Sequence, residues 1–322
     1  MIGEAWVIAE RRGDAVRRVS IEALGRLAAL GLTPKAVVLG ADVEAVAAAA
    51  APYASAVLAL THPVLAEYSA SLFARVLGDL AAARKPRAIL AGATPWGRDL
   101  MARLAARLGA GYVADAVDLS LDPNGDLFAV RAILGGRAYA EVAFRGDGPR
   151  LASVRPNAFP APTPGAPGAI EKVAVAADAS PREKLAGRIS ALPTRVDISE
   201  ADVVVTGGRG VRGPEGFAVV EKLAEAFGGA VGASRAAVDA GWRDHSIQVG
   251  KSGRTVAPKL YVALGVSGAV HHRMGMDTAK TVVVINSDPN APFFKHADYG
   301  LVGDLFKIAP ALAEEVRKAR GT

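Results

Sequence analysis

Along the first 110 positions, short unbroken apolar runs alternate with stripes of helical period. Trp6-Val7-Ile8-Ala9, Ala36-Val37-Val38-Leu39, residues 56–60 and Arg87-Ala88-Ile89-Leu90 read as buried strands. Between them lie helix patterns over 20–30, 43–50, 63–83 and 98–108, the first capped by Ser20, striped by Ile21, Leu24, Leu27 and Ala28, and stopped at Gly31. Apolar strands alternating with amphipathic helices predict a mostly parallel sheet covered on both faces. After Gly109 the rhythm changes: 126–133, 137–144 and 150–154 read as neighbouring strands joined by Gly-rich turns, an antiparallel extension. The Pro-rich stretch PNAFPAPTPGAPG at 156–168 is extended, 170–176 reads as one further strand, and the polar segment that follows places a junction near 190, with a hinge over 177–200. The second αβ pattern has strands near 202–205, 230–232, 260–264, 281–285 and 299–302, with helices over 214–227 and 304–318.

The expected fold class is therefore α/β, with an N-terminal domain at 1–190 and a C-terminal Rossmann-like parallel-sheet domain at 191–322. The 322 residues are ample for two cores, and 51% apolar with 22% charged residues excludes a disordered chain. Zero cysteines exclude disulfides, thiolate metal sites and cysteine nucleophiles, so redox chemistry requires a bound cofactor. The net charge of +6 comes without a basic run or aromatic-interleaved patch, so no nucleic-acid partner is expected. The opening MIGEAWVIAERRGD lacks the basic-then-apolar order of a secretory signal, and no stretch is long and apolar enough for direct membrane insertion, so a cytoplasmic location is expected.

Candidate chemistry gathers in the second half, where successive strands stop at clusters of Gly, Ser, Arg, Asn or His: Gly207-Gly208-Arg209-Gly210, Ser234-Arg235, Gly265-Val266-Ser267-Gly268 and Asn286-Ser287-Asp288. In an open parallel sheet the carboxyl ends of the strands flank the ligand crevice, so these clusters would converge on one edge. Glycines let a phosphate approach the backbone, and arginines supply charge-assisted hydrogen bonds. Gly208, Gly210 and Gly213 meet a bare G-x-G-x-x-G spacing, but without an acidic residue at a following strand end they do not indicate a dinucleotide site. The adjacent His271 and His272 diverge on a regular backbone, and no metal site is expected. Asp115 and Asp118 have no acid/base partner and read as solvated loop positions. Trp6, Trp96 and Trp242 read as packing residues.

Five segments, VVVTGGRG at 203–210, VGASRAAVDAGW at 231–242, QVGKSGRTVAPKLYVALGVSGAVHH at 248–272, INSDPNAPFF at 285–294 and ADYGLVGDLF at 297–306, are similar in content and order to the flavin-binding domain of the alpha subunit of electron transfer flavoproteins. GATPWGRDLMARLAARLGAG at 92–111 and SVRPNAF at 153–159 extend the resemblance more loosely to the first half. The resemblance implies non-covalent FAD held mainly by the second domain, with the first domain serving subunit association in a heterodimer with a beta subunit. It implies that Arg209, Ser234 and Arg235 face the cofactor, that Val249, Gly250, Lys251 and Ser252 form a loop bringing a hydroxyl near flavin N5, and that Ser267, Gly268, Ala269, Val270, His271 and His272 form a further binding run. Asn286, Asp304 and Leu305 match positions around the adenosine end.

Lys251, Ser252 and His271 depart from the usual Gln, Thr and Gln of the family, and the Lys251 side chain is expected to extend into solvent. Arg235 and His272 are the candidates for stabilising negative charge at the N1/C2=O edge of the flavin. The function implied is a one-electron shuttle from dehydrogenases, such as those acting on acyl-CoA in fatty acid oxidation, to a membrane quinone oxidoreductase: a carrier rather than an enzyme with its own substrate. Two alternatives stay open: a subunit of a flavin-bifurcating, NADH-oxidising member of the family, and a binding module for NAD or another nucleotide.

Overall fold

The protein is described here from a computed structural model covering residues 4–134, 136–176, 181, 183, 185–187 and 197–321. Two compact units divide it, Met1–Ile133 with Ala138–Arg188 and Leu134–Arg137 with Ile189–Thr322. The expected hinge at 177–200 lies largely outside the described residues.

In the first unit the strands are β1 (Glu4–Ile8), β2 (Arg11–Arg12), β3 (Ala15–Val16), β4 (Thr33–Gly40), β5 (Ala56–Thr61), β6 (Ala88–Gly92), β7 (Tyr112–Leu121), β8 (Leu127–Ile133), β9 (Ala138–Ala143), β10 (Arg150–Val154) and β11 (Ala169–Val173). Nine of them form one sheet in the order β11-β5-β4-β1-β6-β10-β7-β8-β9, while β2 and β3 pair as a separate short ribbon. Neighbours from β11 to β7 run parallel, and β7-β8-β9 is antiparallel. Strand alternation splits the core: Ala5 and Val7 join one apolar cluster, while Trp6 and Ile8 join the other. Helices α1 (Arg18–Ala29), α2 (Glu44–Ala50), α3 (Ala70–Arg84) and α4 (Pro95–Leu108) connect the parallel strands.

Three expectations for this unit are corrected. The strand at 150–154 does not belong to the antiparallel extension but lies between β6 and β7, parallel to both. Its Leu151-Ala152-Ser153-Val154 run is buried throughout, as an inner strand with two covered faces requires, whereas β9 alternates between half-buried and exposed positions. Ser20 does not cap α1, which begins two residues earlier without a side-chain cap; its hydroxyl instead accepts a hydrogen bond from the Glu10 amide at 3.1 Å. The single helix expected at 63–83 is a turn of 3-10 helix at Pro63–Leu65 followed by α3, whose own cap is Ser69.

Asp115 is also corrected, from a solvated loop position to a half-buried place within β7, at a register shift against β10 where its backbone takes φ 61°. The Arg155 guanidinium donates to both of its oxygens, at 3.1 and 2.6 Å, and Arg98 lies 3.4 Å away. Burial alone would raise the Asp115 pKa, but the hydrogen bonds and charge of Arg155, with Arg98, bring it below the ordinary 3.8.

In the second unit β12 (Val203–Gly207), β13 (Ala230–Ala233), β14 (Leu260–Leu264), β15 (Thr281–Asn286) and β16 (Tyr299–Val302) form an all-parallel sheet in the order β13-β12-β14-β15-β16. Helix α5 (Phe217–Phe227) and the later α8 (Leu305–Arg320) cover one face, where Val205, Val262, Leu264, Phe217, Val220 and Ala309 pack together. On the other face Val204, Tyr261, Ala263 and Val284 pack against Val249, Val256, Met276 and Phe293. That face is covered by irregular chain and by α7 (Val270–Arg273), a single turn; the remaining helix, α6 (Arg235–Asp239), follows β13. Strand β16 pairs only with β15, and all four of its residues are exposed, Tyr299 at 66% and Val302 at 59%. No helix among the described residues is long and apolar enough to cross a membrane.

Asp115→Asn keeps the shape and the tolerance of positive φ but leaves Arg155 buried beside a neutral amide. We expect a loss of about 3 kcal/mol in urea unfolding at pH 7. Because the folded-state pKa is lowered, the native carboxylate contributes fully above pH 3.8 and its contribution disappears as pH falls through the lower folded value. Wild-type and variant stabilities should therefore converge in strong acid, and a constant difference across pH would contradict this origin.

Candidate functional site

The second unit starts its sheet in the middle. Chain leaves β12, crosses through α5 to β13 on one side, and then returns to β14 on the other side of β12. The ends of β12 and β14 therefore open a crevice at the point where strand order reverses. A cavity of about 530 Å³ occupies this edge, within the usual range for small-molecule sites.

Each wall comes from a different strand end. After β12, Arg209 and Gly210 line it; after β13, Ser234 and Arg235; after β14, Gly265, Val266 and Ser267; and after β15, Asn286 and Asp288. The loops after β12 and β14 meet backbone to backbone. The Gly208 amide donates to the Leu264 carbonyl at 2.9 Å and the Gly210 amide to the Gly265 carbonyl at 3.0 Å. A Cβ on Gly208 would lie 2.3 Å from the Gly265 oxygen, and one on Gly210 would lie 2.6 Å from the Gly265 Cα. The glycine spacing at 208 and 210 thus serves this loop-on-loop packing.

The cationic groups differ. Arg209 begins a 3-10 turn, is exposed, and makes no side-chain ion pair or hydrogen bond among the described residues. Arg235 is also exposed, but its Nε donates to Asp239 at 3.2 Å, a pairing one helical turn apart. Such a surface pair is weakly held and can exchange for another anion. Ser234 sits buried at the start of α6, with its hydroxyl not engaged in capping that helix.

The loop at 248–254 supplies the facing wall. Its start is fixed by the Val249 amide donating to the Ala233 carbonyl at 2.9 Å, and its tip by the Lys251 amide donating to the His271 carbonyl at 2.7 Å. Gly250 takes φ 139°, and a Cβ there would stand 2.9 Å from the His271 oxygen, so the loop's closeness to α7 requires glycine. Gln248, buried and overlooked in the sequence, donates from Nε2 to the Ser252 Oγ at 3.0 Å. The Ser252 hydroxyl accepts one hydrogen bond in this way, and its own O–H is left to donate.

His272 is the one buried ionisable group of the cavity wall. Its Nε2 lies 2.8 Å from the Tyr261 hydroxyl, and its buried Nδ1 makes no hydrogen bond of good geometry. Burial pushes the His272 pKa down to about 4, opposed in part by the nearby Val249 main chain. The ring is therefore neutral at physiological pH, so what it can offer an anionic group is an N–H rather than a positive charge.

Of the residues singled out in the sequence, Arg209, Ser234, Arg235, Val249, Gly250, Ser252, Ser267, Ala269, His271, His272 and Asn286 line the cavity. Five do not. Lys251 and Val270 are exposed, the former as expected for a side chain in solvent. Gly268 is buried at φ 79°, and a Cβ on it would meet Phe293 at 2.4 Å. Asp304 caps α8, accepting from the Phe306 amide at 3.0 Å, and Leu305 packs beneath Gly265. Asn286, although on the wall, braces the loops: its Nδ2 donates to the Val266 carbonyl at 3.1 Å and its Oδ1 accepts from the Asp288 amide at 3.1 Å. Ala236, Asp239 and Ala291 line the cavity and were not singled out, though all lie within the motif segments, and Asp288 joins the wall from the Asn286-Ser287-Asp288 cluster; Asp239, four residues after Arg235, carried a readable signal in its helix spacing.

Comparison with known proteins identifies the family of the chain. Residues 5–178 match the family described as the electron transfer flavoprotein domain, and residues 197–277 match the electron transfer flavoprotein FAD-binding domain. The chain is 40% identical over 325 residues to the electron transfer flavoprotein subunit alpha of Thermoanaerobacterium thermosaccharolyticum, covering 98% of each chain. It is 40% identical over 324 residues to the subunit of the same name from Mycobacterium leprae, covering 99% of this chain and all of that one. Protein FixB of Clostridium saccharobutylicum is 41% identical over 97% of this chain. With both units matched in order and relatives aligned nearly end to end, the chain belongs to the electron transfer flavoprotein alpha-subunit family.

Proposed function

We propose that this chain carries FAD in the crevice of its second unit, pairs with a beta subunit through its first, and shuttles single electrons from dehydrogenases, including those acting on acyl-CoA, to a membrane quinone oxidoreductase. The observation that supports this reading best is the juxtaposition of an unpaired cation, Arg209, a weakly paired one, Arg235, and the donor hydroxyl of Ser252 around one cavity at the strand-order reversal. The residues fit a flavin dinucleotide. Two guanidiniums suit its diphosphate, and the Ser252 hydroxyl keeps an O–H to give to a ring nitrogen.

Bound flavin supplies the one-electron redox chemistry that a chain without cysteines lacks. The protein's own residues do the rest. Arg209 and Arg235 bind anionic groups and lend positive charge to the site, making it easier to place an extra electron there. Ser252, its oxygen already accepting from Gln248, holds its proton toward a ring nitrogen. His272 fills the wall as a neutral ring and excludes water from behind the cofactor. Asn286 and the glycine contacts hold the loops after β12, β14 and β15 in register.

Co-expression with the beta subunit should give a yellow protein releasing FAD on denaturation; a colourless heterodimer would sink the reading. Rapid reduction of that flavin by NADH, with two flavins per heterodimer, would count against the quinone-directed shuttle and favour the bifurcating type. Arg235→Ala should weaken FAD binding about tenfold or more, as loss of a charge-assisted hydrogen bond implies. Flavin content and dissociation constant unchanged from wild type would remove Arg235 from the site. Ser252→Ala should keep the flavin bound but shift its midpoint potential by about 40 mV, the equivalent of one hydrogen bond of about 1 kcal/mol for a one-electron couple. An unaltered potential would show that Ser252 does not touch the redox-active ring.

A further inference from the structure

Tyr261 stands in the middle of β14, with no exposed surface, on the sheet face away from α5 and α8. A phenol so deep in a sheet needs a partner for its hydroxyl. It finds one in His272 Nε2 at 2.8 Å. The two rings and Phe293 form a mutually touching trio, with centroid separations of 6.2, 6.3 and 5.9 Å. Phe293 comes close because Gly268 has no side chain to hold it off. The imidazole is thus boxed in by two aromatic rings and anchored at one nitrogen.

We propose that Tyr261 is a positioning residue: its phenol donates to His272 Nε2, fixing the imidazole in the Nδ1–H tautomer and keeping it neutral at the cavity wall. A neutral imidazole carries one N–H and one bare nitrogen. With Nε2 accepting from the phenol, the ring proton sits on Nδ1, on the side of the Val249 main chain. Burial keeps the phenol protonated, so it remains a donor. The reverse arrangement, with Nε2–H donating to Tyr261, would send the phenolic proton toward Thr206, buried on the neighbouring strand β12 beside the phenol, and leave Nδ1 a bare buried acceptor.

The charged neighbours do not alter this assignment. On its own helix His271 is exposed, and Arg273 donates to the Gly268 carbonyl at 3.1 Å and also contacts His296 of the segment Pro292–His296. From the loop, Lys251 is exposed and Arg254 is half-buried; beyond the helix and after β15, Asp277 and Asp288 are exposed. None of them shifts the titration of His272, which burial dominates. The hydroxyl also acts in one direction, because a hydrogen bond given to the neutral ring disfavours protonation. The consequence for the cofactor rests on the flavin reading above: cationic stabilisation then comes from Arg209 and Arg235 alone, and the site's potential is insulated from pH at His272. The tautomer itself does not depend on that reading.

The test is nitrogen-15 NMR of the five histidines in the full-length chain co-purified with its beta subunit. In the wild type, His272 should show a protonated Nδ1 and a bare Nε2, without change between pH 8 and pH 5. A protonated Nε2 in the wild type overturns the proposal by itself, whether or not any variant folds. In Tyr261→Phe the tautomers should mix and the midpoint of His272 should rise by about one pH unit or more, while the other histidines stay put. An unmoved midpoint and a single unchanged tautomer, in a variant that melts as the wild type does, would also overturn it. Thr206→Val, which leaves the phenol–imidazole bond in place, should keep the wild-type tautomer; loss of that tautomer would show the hydroxyl to be set by Thr206 instead. In the flavin-loaded heterodimer, Tyr261→Phe should add a pH dependence to the midpoint potential below about pH 6. Absence of bound flavin would end the flavin reading and leave the tautomer result standing.

Discussion

A parallel strand pair has direction: every strand of such a sheet delivers its carboxyl end to the same edge, and the chain must return across a face before the next strand begins. In the second unit this directionality has a specific outcome. Because β12 lies between β13 and β14, the connections leaving the ends of β12 and β14 turn to opposite sides, toward β13 and β15, and the gap between them is the cavity. Everything at the site follows from keeping that gap both open and framed. Glycines 208, 210 and 265 let two loops touch on one side, Gly250 lets a third lean on α7, and Asn286 ties a fourth to the second. The cavity is a by-product of strand order that short side chains and one amide then hold to a fixed outline.

Charge is distributed over this frame in two ways. Arginines sit at the exposed strand ends, where water carries much of the cost of their charge, whereas the buried titratable groups, Tyr261 and His272, are arranged to stay uncharged. The first unit uses the opposite solution. Asp115 and Arg155 remain charged although largely covered, because a two-pronged contact and a second guanidinium replace the water they lose. A mobile charge is useful where a ligand must be met, and a neutral or fully paired one is useful where only the scaffold must hold.

The sequence made legible what depends on local pattern. Among the described residues, the apolar runs located thirteen strands and missed Tyr112–Leu121 and the short β2 and β3. Their polar ends named Arg209, Ser234, Arg235, Ser267 and Asn286 of the cavity lining, whereas Val249, Gly250, Ser252, Ala269, His271 and His272 came from the family resemblance. It could not reveal neighbour order. Arg150–Val154 is as apolar as an outer hairpin strand or an inner parallel one, and only its pairing with β6 and β7 separates the two. Nor could it reveal competition among partners for a hydroxyl: Ser20 has the right identity for a helix cap but is claimed by the Glu10 amide. The family resemblance grouped Gly268, Val270, Asp304 and Leu305 with the binding residues; in the fold they lie outside the cavity lining, where Gly268 admits Phe293, Val270 is exposed, Asp304 caps α8 and Leu305 supports Gly265. Tyr261 was invisible in the opposite sense, since a tyrosine inside LYVAL reads as core, and its hydroxyl matters only once α7 is folded over it.

The exposed strand β16 has a consequence for how freely this sequence can vary. Its outer row of amide and carbonyl groups faces no further strand, and Tyr299, Leu301 and Val302 carry apolar surface on both sides of the pleat without a proline or lysine among them. Such an edge is adhesive to any extended chain it meets, including a nascent copy of itself. Gly300 leaves room for the Phe294 ring, which a Cβ would meet at 2.8 Å, so substitutions that the strand can take without a clash fall at Tyr299, Leu301 and Val302. This open rim is tied to the crevice through Val302, which pairs in register with the cavity residue Asn286, so a change of pairing at the edge is felt at the wall of the site.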